Sequence, residues 1–371
     1  MRILKVIYNG KILDIRAVWM EDKQKGIVKM IDQRLLPWKL TFFISTSYAE
    51  TAWAIKHMVV RGAPTIGVTA AYGVYQAALR IDQLDEYKFL GDLKNAVREL
   101  QKTRPTAVNL FNTTNEMLKK AEMLVNKGYT IKEIREQLGE HAEEIVNREV
   151  SANKRIGEFG ETLIKDGYSI LTHCNAGALA AVDYGTALAP IRFAHYKGKK
   201  IVVYVDETRP WLQGARLTAW ELEMEGIPYY LISDNAAGYF MWRGDIDIII
   251  VGADRITMNG DVANKIGTYK LAIIAKENGI PFYVAAPLSS FDPNIRSGEE
   301  IPIEERSPDE ILYVRGELKN GDIKKVLIAP KKAKVRNPVF DITPAKYITG
   351  YITEIGILRN SDDIREALKK R

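Results

Sequence analysis

The chain has 371 residues, 46% of them hydrophobic and 27% charged, with a net charge of +6 and a single cysteine. This length accommodates two domains, no apolar run approaches the ~20 residues of a membrane span, and one cysteine excludes an internal disulfide and a multi-thiolate zinc site within the chain. The basic balance admits a nucleic-acid partner, but the charges are scattered, and without zinc-finger spacing or an aromatic RNA-binding signature a solvated surface or a site for an anionic small molecule is expected instead.

The opening MRILKVIYNGK lacks the apolar core and small-residue cleavage site of a signal peptide, so a cytoplasmic location and no membrane partner are expected. Residues Ile3 to Ile15 alternate apolar and polar around Asn9-Gly10, the pattern of a β-hairpin. Met20 to Gly26 is polar and reads as a linker, and Ile27 to Asp32 as a strand. From Ser47 the pattern turns helical as far as Val60, followed by RGAPTIG (Arg61 to Gly67) and a further apolar helix to Leu79. Between Asp82 and Glu161, apolar residues recur at three- and four-residue spacings in Glu116 to Asn126, Ile131 to Gln137 and His141 to Phe159. Thr103-Arg104-Pro105-Thr106 interrupts them as a loop, because proline disfavours helical geometry at Arg104. Residues 1–150 are thus expected to form a mainly helical domain with a small β-hairpin region.

From Tyr168 the texture changes. Apolar runs recur at Tyr168 to Thr172, Ile201 to Val205, Pro228 to Ile232, Ile246 to Val251 and Pro281 to Ala285, with helical stretches between them. Such alternation predicts a parallel sheet covered by helices, and near-continuous apolar strands such as IDIIIV fit burial on both faces. The predicted class is α/β, with a Rossmann-like parallel-sheet domain over 151–371. Farther on, Glu304 to Glu310 reads as a loop leading to a helix start, Leu318 to Val335 as a hairpin around Asn320-Gly321, and Thr343 to Gly356 as a closing helix with Pro344 near its start.

Cys174 lies in LTHCNAGALA, between the first of these strands and a helix predicted over Ala178 to Arg192. A free cysteine is often a small buried hydrophobe, whereas a helix N-terminus at this point would favour a thiolate or a phosphate. The other polar residues decide between the two. Asp206, Glu207 and Gln213 follow the second strand, Asp234 and Asn235 the third, Asp254, Arg255, Asn264 and Lys265 the fourth, and Ser289 and Ser290 the fifth. All lie beyond carboxyl ends of strands, the edge where open parallel sheets bind ligands, so Cys174 is expected to be a site residue. No G-x-G-x-x-G, P-loop or nucleophile elbow is present, which argues against a dinucleotide dehydrogenase, a P-loop NTPase and an α/β-hydrolase. His173 and Cys174 are adjacent and should point apart. His173, Asp206 and Asp254 have no recognisable metal-ligand spacing, so no metal is expected.

VVRGAPTIG, THCNAGALA, DETRPWLQGARLTAWEL, SDNAAG, VGADRI with NGDVANKIGTYKLA, and PFYVAAP occur in this order. Together they resemble the methylthioribose-1-phosphate isomerase family of methionine salvage, from about Ile31 to Ile357. The residues before about Met30, and the Leu318 to Val335 region, look longer than the family pattern. The wider superfamily also holds ribose-1,5-bisphosphate isomerases and regulatory subunits of the exchange factor for translation initiation factor two. The joint presence of RGAP, HCNAG and NK elements favours an enzyme. The resemblance implies an aldose–ketose isomerisation of 5-methylthioribose 1-phosphate, a sugar-phosphate substrate, by a homodimer without metal or organic cofactor. It implies Asp254 as the acid, with a pKa that an apolar strand end would raise, and Cys174 as proton carrier or transition-state stabiliser. It implies phosphate binding by Arg61, Gly62, Ala63 and Arg104, phosphate or sugar-hydroxyl contacts from Asn264 and Lys265, and a sugar contact from Gln213. His173, Asp206, Asp234 and Asn235 would support them. For a methylthio group an apolar pocket is needed, and Trp38, Phe42, Phe43, Tyr48 and Trp53 of the first domain are the candidates.

Overall fold

The computed structural model describes residues 4–104 and 107–369; Ile3 of the predicted hairpin, and Pro105 and Thr106 of the predicted loop, lie outside them. The described residues divide into two compact units. One takes the chain up to Leu35, then Leu40–Ala152 and Ala178–Gly185; the other takes Leu36–Lys39, Asn153–Gly177 and the chain from Thr186 onward.

The first unit opens with the hairpin β1 (Lys5–Tyr8) and β2 (Lys11–Asp14). Asn9 and Gly10 at its turn have φ of 49° and 74°, as a type I′ turn requires. Strands β3 (Val18–Asp22), β4 (Ile27–Ile31) and β5 (Phe42–Ser45) form an antiparallel sheet. Met20 to Gly26 is therefore not a linker. Its polar residues belong to a strand end and a tight turn, where the Lys25 N–H donates to Asp22 Oδ1 at 3.0 Å. Then come α1 (Tyr48–Lys56), α2 (Ala63–Arg80), α3 (Glu86–Lys102), α4 (Val108–Asn126) and α5 (Ile131–Glu161). Helix α2 is buried continuously from Thr65 to Ala78 and forms the centre of this unit. Helix α5 runs unbroken through Gly139, where the apolar pattern lapses. A side chain there would meet the Tyr75 ring at 2.8 Å, so the glycine reflects packing rather than a helix end.

The second unit continues with β6 (Ser169–Thr172), α6 (Leu188–Tyr196), β7 (Val202–Asp206), a π-helical turn Gly214–Thr218, α7 (Ala219–Met224), β8 (Tyr229–Ile232), α8 (Ala237–Arg243) and β9 (Ile248–Val251). After these come β10 (Arg255–Ile256), β11 (Val262–Lys265), α9 (Thr268–Glu277), β12 (Phe282–Ala285), α10 (Asp309–Leu312), the hairpin β13 (Tyr313–Glu317) and β14 (Ile323–Leu327), β15 (Phe340–Thr343), β16 (Gly350–Thr353), β17 (Gly356–Leu358) and α11 (Ser361–Lys369). The main sheet has the order β8-β7-β6-β9-β12-β16-β17, parallel throughout except for the antiparallel edge strand β17. All four residues of β9 are buried, as its unbroken apolar sequence requires. A smaller sheet, β10-β11-β15, is built out from the β9–α9 connection.

One predicted helix is absent and another starts ten residues late. Residues 343–356 hold a strand end, a short 3-10 turn and β16 instead, and Pro344 sits in extended geometry with ψ of 141°. The stretch YITGYIT is aromatic and β-branched, and β16 is wholly buried beside β12, so the packed sheet outweighs the helical spacing. After Cys174 the helix begins only at Leu188. Val182, Tyr184 and Gly185 have φ of 68°, 59° and 86°, left-handed values that break any α-helix there.

Candidate active site

Reading the strands in chain order, the sheet grows outward from β6 in one direction through β7 and β8, and in the other through β9 and β12. The reversal falls between β6 and β9, and at such a point the loops leaving two neighbouring strands diverge and open a crevice. Cys174 follows β6 and Asp254 follows β9. The fold thus sets the two residues at the carboxyl ends of adjacent strands.

Cys174 is half-buried, with a left-handed φ of 65°. Its N–H donates to Thr208 Oγ1 at 2.9 Å, and its carbonyl accepts from Thr218 Oγ1 at 2.7 Å. Because no helix starts here, the helix-dipole argument for a thiolate does not apply. Thr208 is itself left-handed, with φ of 64°, and its N–H donates to Asp234 Oδ1 at 2.7 Å. The Arg209 N–H donates to the other Asp234 oxygen at 2.7 Å. Two non-glycine residues in this sparsely populated conformation, cross-linked by hydrogen bonds, hold the loop in one geometry.

His173 points away from Cys174 into the core. Its Nδ1 lies 2.8 Å from Asp206 Oδ2, and its Nε2 donates to the Ile266 carbonyl at 2.9 Å. Burial pulls the His173 pKa down, but the hydrogen bond and charge of Asp206 outweigh it and the net direction is up. His173, Asp206 and Asp234, not Asp254, are grouped closely enough to hold a cation. Both His173 nitrogens and both Asp234 oxygens are engaged within the protein, which suits a structural brace better than a metal centre.

The π-helical turn after β7 carries Gln213 at its start and Thr218 at its end. Gly214 is obligatory here, since a Cβ would fall 1.7 Å from the Asp206 carbonyl oxygen. Gln213 is 4% exposed, and its Oε1 is buried with no hydrogen-bond partner among the described residues. Asn175 Nδ2 donates to Glu221 Oε1 at 2.8 Å, and Glu221 in turn accepts from the fully buried Arg192 at 2.7 Å. Gly177 leaves room for that carboxylate, which a Cβ would approach to 2.3 Å. Thr208, Thr218, Glu221 and Arg192 were not singled out by sequence reasoning. For Thr208, Thr218 and Glu221 the one signal was membership of DETRPWLQGARLTAWEL; Arg192 lies outside the quoted motifs.

Asp254 is half-buried, and its N–H donates to the Ala263 carbonyl at 3.0 Å, which ties the β9 exit to β11. Asn264 Nδ2 donates to Thr268 Oγ1 at 3.0 Å, and Thr268 Oγ1 donates to the Lys265 carbonyl at 2.7 Å. Lys265 is 5% exposed, yet among the described residues its ammonium makes no hydrogen bond or ion pair; it lies over the Phe340 ring at 5.0 Å. Burial lowers its pKa, and Cys174, Arg306, Asp254 and Glu310 are the ionisable groups whose charges reach it. An unpaired buried ammonium is costly, and a bound anion removes that cost.

Arg61, Gly62, Ala63 and Arg104 belong to the first unit. Gly62 caps α2 with φ of 87°, and a Cβ there would fall 2.4 Å from the Ala180 carbonyl oxygen. Its glycine is thus demanded by the chain passing over it. The Thr65 N–H, donating to Ala180 O at 3.1 Å, holds the same crossing. Gly67 fits against Thr113 and Asn109 of α4. Of the aromatic candidates for an apolar pocket, Phe43 stacks on Trp53 at 5.5 Å in the first unit, but Trp38 belongs to the second, where the Arg216 guanidinium lies between it and Trp211 at 5.1 and 4.2 Å.

A model of the initiation factor 2 subunit family matches residues 59–360. The methylthioribose-1-phosphate isomerase of Acetivibrio thermocellus is 53% identical over 333 residues, 90% of this chain and 94% of that one. Methylthioribose-1-phosphate isomerase 1 of Pseudothermotoga lettingae is 54% identical over 330 residues, 89% of this chain and 92% of that one. The crystal structure of 5-methylthioribose 1-phosphate isomerase from Pyrococcus horikoshii is similar at a TM-score of 0.87 and 43% identity, covering 96% of each chain. A structure described as translation initiation factor eIF-2B, subunit delta, from A. fulgidus gives 0.82 and 41%, covering 95% of this chain and 99% of that one.

Proposed function

The chain belongs to the initiation factor 2 subunit family and, within it, to the methylthioribose-1-phosphate isomerases; from that premise we propose how the carboxyl edge of its main sheet runs the reaction. The enzyme is an aldose–ketose isomerase that converts 5-methylthioribose 1-phosphate to 5-methylthioribulose 1-phosphate. The anomeric oxygen carries the phosphate, so the ring cannot open as a free hemiacetal does. The ring oxygen must gain a proton as its bond to C1 breaks, and one hydrogen must pass from C2 to C1.

In this proposal Asp254 donates the ring-opening proton. Cys174, held from both sides of its peptide by Thr208 and Thr218, handles charge or a proton at C1 and C2. Transfer through an enolate-like species and direct hydride transfer are both compatible with that pair. The observation that supports the reading is Lys265: a buried residue whose ammonium lies over the Phe340 ring with no ion pair or hydrogen bond among the described residues, within the electrostatic reach of both Cys174 and Asp254. An anionic substrate supplies the missing counter-charge. Gln213, with its unsatisfied buried amide oxygen, takes a sugar hydroxyl, and Asn264 is fixed beside Lys265 for the same ligand. Arg61, Gly62, Ala63 and Arg104 keep the phosphate role that the resemblance implies, with Gly62 serving the packing of Ala180 as well.

The test is turnover by the purified chain without added cofactor, followed by NMR, with 5-methylthioribose 1-phosphate, 5-deoxyribose 1-phosphate and ribose 1,5-bisphosphate. Burying the methylthio group contributes about 1–2 kcal/mol, so kcat/KM should fall roughly five- to thirtyfold for the deoxy sugar. The bisphosphate should be rejected more strongly, because its second phosphate would lose hydration without a partner. A bisphosphate that proves the best of the three overturns the substrate assignment, and tight binding to a translation factor without turnover overturns the enzyme. The homodimer is tested by light scattering on the same preparation. Among the described residues no helix is long and apolar enough to cross a membrane.

A further inference from the structure

The strap of residues 304–312 crosses the same edge of the second unit and carries charges that no role above uses. It is anchored on two sides. On one side it extends the small sheet: the Ile266 N–H donates to the Val339 carbonyl at 3.0 Å, the Val339 N–H to the Glu304 carbonyl at 3.0 Å, and the Arg306 N–H to the Asn337 carbonyl at 3.0 Å. Residues 304–306 therefore lie one chain beyond the segment that pairs with Lys265, in register with Phe340. Buried Asn337 adds hydrogen bonds to Ser307 O at 3.1 Å and Glu310 Oε2 at 3.2 Å. On the other side Arg209, whose N–H is bound by Asp234 next to Thr208, donates from Nη2 to the Ile311 carbonyl at 3.0 Å. The strap is thus pinned at one end to the 337–339 segment, which leads into the strand paired with Lys265, and at the other to the loop that holds Cys174.

Within this frame Arg306 is placed unusually. Its side chain is 15% exposed, and its recorded polar contact is from Nε to Glu304 Oε1 at 3.3 Å. Among the described residues its Nη groups make no hydrogen bond. Its charge is one of those that press down on the ammonium of Lys265. Two largely buried cations, each with N–H donors unused, repel one another in surroundings where repulsion is weakly screened. An anion between them reverses the sign of that interaction, and the planar guanidinium fork matches phosphate oxygens in geometry.

We infer that Arg306 is a further substrate-binding residue, whose Nη groups close with Lys265 on the phosphate of the substrate. This rests on the isomerase reading above for the identity of that phosphate. The backbone of Arg306 is held by its hydrogen bond to the Asn337 carbonyl at the edge of the small sheet, which fixes where its side chain starts.

The experiment uses the full chain, with Arg306→Gln and Arg306→Lys. Inorganic phosphate is titrated into each by calorimetry, and KM and kcat are measured with 5-methylthioribose 1-phosphate. Arg306→Gln should weaken phosphate binding and raise KM in parallel by roughly ten- to hundredfold, the range for a lost charged hydrogen bond. Thermal unfolding should match the wild type, and guanidinium ions should restore part of the lost kcat/KM. Arg306→Lys should fall between the two, because it keeps the charge and loses the fork. Wild-type phosphate affinity and KM in Arg306→Gln overturn the assignment. If that variant does not fold, wild-type phosphate affinity in Arg306→Lys does the same. A wild-type chain that gives no product overturns the isomerase reading, while the phosphate titration still decides Arg306.

Discussion

Replacing Asp206 by asparagine isolates the buried brace behind Cys174. His173 Nε2 faces the Ile266 carbonyl at 2.9 Å, and a carbonyl only accepts, so Nε2 carries a hydrogen. His173 Nδ1 lies 2.8 Å from Asp206 Oδ2, and one proton is held between them. Burial opposes that proton on His173, but the Asp206 hydrogen bond and charge prevail, so the folded pair keeps a proton that a free histidine loses near about pH 6.5. With the folded pKa raised, this stabilisation is fully present below about pH 6.5 and is lost as pH rises through the folded value. The wild-type stability should therefore fall with rising pH above about 6.5, at up to about 1.4 kcal/mol per pH unit for one proton. In Asp206→Asn the amide donates to a neutral Nδ1, geometry is kept, and burial is opposed on His173 only by the charge of Asp234 and the hydrogen bond to Ile266. The decline should shrink, and the variant should be less stable by about 1.5–3 kcal/mol near pH 6, the worth of a charged hydrogen bond. Urea unfolding followed by circular dichroism, from about pH 5 to about pH 9, measures both. Parallel stability–pH curves for the two proteins would refute the shared-proton brace.

Gly62→Ala places a Cβ 2.4 Å from the Ala180 carbonyl oxygen in a left-handed residue, and should cost about 2–4 kcal/mol, read as a drop in Tm; an unchanged Tm contradicts the packing role. Cys174→Ala and Asp254→Asn should each lower kcat by roughly a hundredfold or more while Tm stays near the wild type, since both side chains are only half-buried. Retained turnover in either variant removes that residue from the chemistry. Activity should survive EDTA, because the donor atoms of His173 and Asp234 are already hydrogen-bonded; loss restored by one specific metal ion would count against this.

Local pattern determined much of this protein. The five apolar runs after Tyr168 become the five strands β6, β7, β8, β9 and β12; central β9, buried at every residue, must be apolar along its length, while edge strand β8 exposes Tyr230 and Leu231. Asn9-Gly10 sets its hairpin because few other pairs adopt two consecutive positive φ values. The placement of Cys174, Asp234 and Asp254 beyond strand ends was likewise legible, since it depends only on where apolar runs stop, whereas Asp206 proves to be the last residue of β7 itself, paired with Ile232. What the sequence left undecided depends on contacts between distant segments. The stretch 343–356 has helical spacing and becomes β16 because an open strand edge at β12 accepts it. The helix expected from Ala178 begins only at Leu188, because the chain at Ala180 crosses over Gly62 and is held there by Thr65. That His173 faces Asp206, that Gln213 Oε1 is buried with no hydrogen-bond partner and Lys265 with no ion pair among the described residues, and that residues 304–312 run between the 337–339 segment and Arg209 are likewise beyond local reading. A hydrogen bond or an unpaired charge is a relation between residues far apart in sequence, and only the packed chain determines which groups meet.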